Sequence, residues 1–166
     1  IIATLITQSC NDDFMELYPE TDISKENFFN TREDLETYVF SLYDFPSFDI
    51  YINDHSTDNA ATTGATEIKS MMIGTPSPST ITSGWNFDQL RKVNFFLENL
   101  SKDAVDEPTK KHFEGLGRFF RAKFYMDKVM RYSDVPWYDK TLTPADPDLY
   151  KGRDPRTVVV ENIFAD

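Results

Sequence analysis

Apolar residues recur at spacings of three and four through residues 110–140, and this segment organises the rest of the pattern. Set on a helix, Phe113, Leu116, Phe120 and Phe124 form a continuous stripe. Phe119, Met126, Val129 and Met130 widen that stripe past one narrow face, leaving Arg118, Arg121, Lys128 and Arg131 for what remains. A helix this apolar needs neighbours on two or more sides, which predicts a place in the middle of a helical array. Pro108 suits a first-turn position, with Asp106 and Glu107 where the helix dipole favours acids. Val135-Pro136 forces extended backbone, so the helix is predicted to stop near Ser133.

Three further helices follow from the same periodicity. Thr31 with Asp34 forms a capping box, the shorter Asp standing in for Glu. Leu35, Tyr38, Val39, Leu42 and Tyr43 then predict an amphipathic helix to about Tyr43, with Phe28 and Phe29 stapling its entry and Phe45-Pro46 ending it. Residues 85–100 carry Leu90, Val93 or Asn94, Leu97 and Leu100 along one face. Phe95 and Phe96 are assigned to the core, and Asn94 to a buried, satisfied amide. The polar connection 101–108 is short, so this helix and the Phe-rich one are predicted to pack antiparallel. Trp137 and Tyr138 fall in extended chain after Pro136. Asp154 is then predicted to cap a last helix with Pro155 at its first position, and Val158, Val159, Ile163 and Phe164 begin its apolar face.

Between Pro46 and Gly84 no period is sustained, and Ser, Thr, Asn, Asp, Gly and Pro dominate. A loop of this length is either functional or without fixed structure. Tyr51, Asp54, His55, Asp58 and Asn59 bring an aromatic face together with hydrogen-bonding groups. That is the chemistry of carbohydrate binding, in which sugar faces stack on rings while carboxylates and amides take the hydroxyls. The competing reading is a solvated loop of Asx turns. Asp54, His55 and Asp58 match no standard metal spacing, so no metal site is assigned. Asp146 and Asp148 begin like a calcium loop, but Tyr150 stands at a ligand position and Gly152 comes one place late.

Composition narrows the function. With 166 residues, 40% hydrophobic and 14% aromatic, the chain can bury roughly 70% of its unfolded surface in one domain. Phenylalanine and tyrosine, 14 and 8, dominate the aromatics. A net charge of −11 argues against a nucleic-acid partner, which needs clustered lysine and arginine. Two histidines and one cysteine leave little material for metal sites or disulfides. No nucleophile elbow, Gly-rich phosphate loop or metal-ligand pattern occurs, and no cofactor or catalytic residue is assigned. A glycosidase needs two carboxylates fixed about 5 to 9 Å apart, and nothing local fixes Asp54 against Asp58.

The amino terminus is read as a targeting segment. Residues 1–6 are apolar but too short to span a bilayer, and fit the tail of a secretory signal. Thr7-Gln8-Ser9 then leads to Cys10, the only cysteine, in the manner of a bacterial lipoprotein signal whose cysteine is cleaved and lipidated. The alternative is an ordinary buried or free cysteine. The chain opens without methionine and closes inside an apolar-periodic helix, and is expected to be a fragment of a longer protein.

An ordered series of short matches resembles the amino-terminal part of the SusD-like (RagB/SusD) family of outer-membrane nutrient-binding lipoproteins. The series runs Cys10-Asn11-Asp12-Asp13-Phe14, Pro19, Asn27-Phe28-Phe29 before the Thr31 helix start, and Arg91 with Asn94. It continues with Gly115, Arg118-Phe119, Arg121-Ala122, Tyr125, Asp134-Val135-Pro136 and Arg153-Asp154-Pro155-Arg156. Gly115-Leu116-Gly117 departs from the family's Gly-Glu-Ala, and Ser133 stands where the family has glycine. The resemblance implies an all-α fold, a tetratricopeptide-like helical array with long irregular loops. It divides the chain into 1–9, remnant of a lipoprotein signal peptide; 10–30, an anchor-proximal tether; and 31–166, the amino-terminal part of the helical domain, truncated at its C-terminus. It implies lipidation at Cys10, a place on the outer-membrane surface, and non-catalytic binding of an oligosaccharide for nutrient uptake. The implied partner is a TonB-dependent SusC-like transporter, over which the lipoprotein sits as a lid. Tyr51, Asp54, Asp58 and Asn59 are the expected glycan contacts. The alternative is a helical-repeat structural adaptor that binds a protein or peptide.

Overall fold

The computed structural model describes residues 28–44, 67–77, 79–81, 83–100 and 105–166. Those residues are mostly helical, as the periodicity predicts: α1 (Arg32–Phe40), α2 (Glu67–Met72), α3 (Asp88–Asn99), α4 (Glu107–Tyr132) and α5 (Arg156–Ala165), with a 3-10 turn at Pro147–Tyr150. The one bridge of β type among them pairs Val135 with Asp154.

Local chemistry fixes the ends. Thr31 Oγ1 accepts the Asp34 N–H at 3.1 Å and the Asp34 carboxylate accepts the Thr31 N–H at 3.0 Å, so the capping box opens α1 as expected. α1 closes at Phe40 rather than Tyr43. Ser41 and Leu42 donate to the carbonyls of Tyr38 and Val39, a tight closing turn that still buries Leu42. The Asp106 side chain caps α4 through the Thr109 N–H, with Pro108 in the first turn. α4 ends at Tyr132, and Ser133 takes a positive φ of 64°. α2 is a six-residue helix inside the stretch where the sequence shows no period.

α4 lies between the other helices. Gly117 meets Leu97, Arg121 meets Asn94, and Phe124 meets Phe87, so α3 runs antiparallel to α4 as the short connection predicts. One core cluster joins Phe29, Leu35, Tyr38 and Phe96 to Phe113 and Phe120 on the first half of α4. The other joins Leu90, Val135 and Val159 to Phe124, Tyr125 and Val129 on its second half. Each large side chain so buried contributes about 2 kcal/mol relative to exposure.

The pattern misplaces four features. Arg121, assigned to the exposed face, is buried, because Asp166 at the end of α5 reaches back to it; Nε donates to Oδ2 at 2.6 Å. Phe119, Met126 and Met130, assigned to the buried stripe, are 53%, 49% and 71% exposed. The three helices around α4 leave that strip uncovered, so apolar character there does not mean burial. Trp85 is not helical, and α3 starts at Asp88. Asp154 does not cap α5. Its carboxylate accepts the Trp137 N–H at 2.7 Å, and Asp134 accepts the Arg156 N–H at 2.9 Å instead. A cap supplied from 22 residues away is invisible to local spacing.

Candidate functional site

A concavity with aromatic walls lies between residues 85–94 and residues 136–151. Its first wall begins at Ser83. The Ser83 N–H donates to Glu67 at 2.7 Å, its carbonyl accepts Arg131 Nε at 3.1 Å and the Tyr132 hydroxyl, and Arg131 also pairs with Glu67. These contacts fasten α2 and residues 83–84 to the last turn of α4. Gly84, at φ 81°, turns the chain there. Trp85 follows, 42% exposed, edge-on to Tyr132 at 4.9 Å and to Phe87 at 5.4 Å.

The second wall is extended chain, held at nearly every residue. Asp154 donates its N–H to the Val135 carbonyl at 3.2 Å. The Tyr138 N–H donates to the Tyr125 hydroxyl at 2.6 Å, and Trp137 stacks on the Tyr125 ring at 4.2 Å between centroids. Burial pushes the Tyr125 hydroxyl pKa well above its usual value, so it stays protonated and hydrogen-bonds to the chain. Asn94, buried on α3, donates to the carbonyls of Tyr138 at 3.0 Å and Lys140 at 3.1 Å, which is the satisfied amide the sequence predicts. Arg121 Nη1 reaches the Asp139 carbonyl at 3.3 Å. Burial works against the charge on Arg121, but the Asp166 carboxylate more than offsets it, so its pKa is raised. The wall is therefore rigid where it faces the cleft.

The cleft encloses about 420 Å³, lined among others by Trp85, Phe87, Arg91, Tyr138, Thr141 and Lys151. Thr141 Oγ1 is buried with no hydrogen-bond partner among the described residues. An unsatisfied buried hydroxyl costs about 1–3 kcal/mol. Lys151 lies over the Tyr138 ring at 5.2 Å while pairing with Asp154 at 2.8 Å. On the other side of Trp85 a second cleft of about 450 Å³ is lined by Pro76, Ile81, Tyr132 and Arg153, and Arg153 lies over the Trp85 ring at 4.6 Å. Rings with a few convergent polar groups can stack the apolar face of a small ligand and orient its hydroxyls.

Tyr51, Asp54, His55, Asp58 and Asn59, and the lipidation candidate Cys10, lie outside the described residues. Asp146 and Asp148 are both engaged within the chain: Asp146 accepts the Thr143 N–H at 2.7 Å, and Asp148 pairs with Lys140 at 3.1 Å. Among the described residues no group of three His, Cys, Asp or Glu could hold a metal ion. Nor is any described helix long and apolar enough to cross a membrane. Sequence reasoning missed Trp85, Phe87 and Tyr138 as a unit, because the first two were read into a helix and nothing in spacing ties them to Tyr138.

No family model, curated protein or solved structure matches the chain.

Proposed function

We propose that this chain is a non-catalytic glycan-binding module of SusD-like type, tethered at the outer-membrane surface through Cys10 and passing oligosaccharide to a TonB-dependent SusC-like transporter. The observation that supports the binding part is the cleft itself, where the rings of Trp85, Phe87 and Tyr138 stand beside the polar side chains of Arg91 and Lys151. The membrane and transporter setting rests on the ordered residue series from Cys10 to Arg156. The antiparallel pair α3–α4, flanked by α1 and α5, is read here as part of a tetratricopeptide-like array. Tyr51, Asp54, Asp58 and Asn59, which precede α2 in the sequence, stay proposed contacts.

Isothermal titration of the full chain against a panel of neutral and acidic oligosaccharides tests the binding part. Saturable heat with at least one glycan, weakened by Trp85→Ala, is expected; silence across the whole panel contradicts it. One observation favours the adaptor reading instead. Phe119, Met126 and Met130 present an uncovered apolar strip on α4, which a partner helix could bury.

A further inference from the structure

One cation at the cleft stands without a carboxylate partner. The chain as a whole carries 28 acidic and 17 basic residues. Among the described residues the cleft is lined by Arg91, Lys140 and Lys151 together with Asp88. Lys140 and Lys151 are paired with Asp148 and Asp154. The Asp88 carboxylate accepts the Asn86 amide at 2.9 Å. Arg91 has no ion pair among the described residues, and on the far side of Trp85 neither has Arg153, whose guanidinium stacks on that ring.

A chain at −11 repels anions over most of its surface. A neutral sugar gains little from a lone unpaired guanidinium, whereas a carboxylate gains a fork-shaped, charge-assisted partner in it. On the premise that the cleft takes a glycan, we propose that its ligand class is acidic: a uronate-bearing oligosaccharide, stacked against Trp85 and Tyr138, with a carboxylate drawn to Arg91. Selectivity over neutral sugars then comes from the unpaired guanidinium at the cleft, and the negative surface elsewhere confines the acid to it.

The test is isothermal titration of the full chain with galacturonate and alginate oligomers, each paired with its methyl ester, beside neutral gluco- and galacto-oligosaccharides. The free acid should bind at least tenfold more tightly than its ester, and the difference should shrink as salt is raised. Arg91→Ala should abolish the acid preference and leave the circular dichroism spectrum unchanged. Esters or neutral glycans binding as tightly as the acids would overturn the acidic class while leaving glycan capture standing. An acid preference that survives in Arg91→Ala would remove it from this cleft. Absence of binding to any glycan, acidic or neutral, would sink both.

Discussion

Gly117 on α4 lies so close to Leu97 on α3 that a Cβ at Gly117 would stand 2.6 Å from Leu97 Cδ2. Phe96 Cδ1 would be 3.1 Å from the same carbon. The glycine that weakens the helix by its propensity is the one that lets the two helices touch. At Gly115, two residues earlier, an added Cβ meets nothing within 4 Å. Gly115→Ala should stabilise the fold by up to about 1 kcal/mol through helix propensity. Gly117→Ala should destabilise it, overpacking costing about 1–3 kcal/mol against that same gain. Urea unfolding of both variants checks the pair, and a Gly117→Ala protein as stable as Gly115→Ala would contradict the close approach.

Ser133 closes α4 at φ 64° and ψ −83°, a region that L-residues seldom adopt. Its N–H still donates to the Val129 carbonyl at 2.9 Å, so the turn is made at a conformational cost. Ser133→Gly relieves that cost and should raise the unfolding free energy by about 1 kcal/mol, after the greater entropy of glycine in the unfolded chain is subtracted. A midpoint of thermal unfolding unchanged or lowered in Ser133→Gly would contradict it.

Asp154 ties the cleft wall to the start of α5. Burial acts to raise its pKa, but the Lys151 ammonium and the Trp137 N–H outweigh burial, so the carboxyl titrates below the ordinary 3.8. A group whose pKa is lower folded than unfolded contributes fully above 3.8 and loses that contribution as pH falls through the folded value. Stability should therefore fall with acidification below 3.8, and Asp154→Asn should show a shallower fall across the same window. Equal acid slopes for the two proteins, measured by chemical unfolding at several pH values, would contradict the role of Asp154.

The elements legible in the sequence were those whose causes are local. The capping box at Thr31, the Asp106–Pro108 start and the Val135-Pro136 stop all act within a few residues, and α1 and α4 begin or end there. What escaped was set by partners distant in the chain. Arg121 sits at a helical position like any exposed arginine, and only Asp166 makes it a buried one. Phe119 and Met130 look like core until the helices around α4 are counted and leave them uncovered. The Asp-Pro pair before α5 invites a local cap, yet Asp134 supplies it. The cleft is hidden for the same reason: Trp85 and Tyr138 come to line one cleft through the bonds that fasten Ser83 to Arg131 and Tyr138 to Tyr125.

Trp85 should matter to ligand more than to fold. It is 42% exposed, so Trp85→Ala costs part of its ring contacts with Phe87 and Tyr132 but no core position. Glycan affinity should drop at least tenfold, since stacking of this kind is worth about 1–3 kcal/mol per ring by analogy with bases on aromatic side chains. Titration of Trp85→Ala, with its folded state verified by circular dichroism, checks this. Undiminished affinity would contradict it.

The most direct measurement is hydrogen–deuterium exchange of the full chain with and without a glycan that titration shows to bind. Protection gained in peptides covering 83–94 and 136–142, and not along the outer strip of α4 around Phe119 and Met130, is the result expected of a ligand held between Trp85 and Tyr138. Protection confined to that outer strip, or no change at 83–94 and 136–142 under saturating glycan, would contradict it.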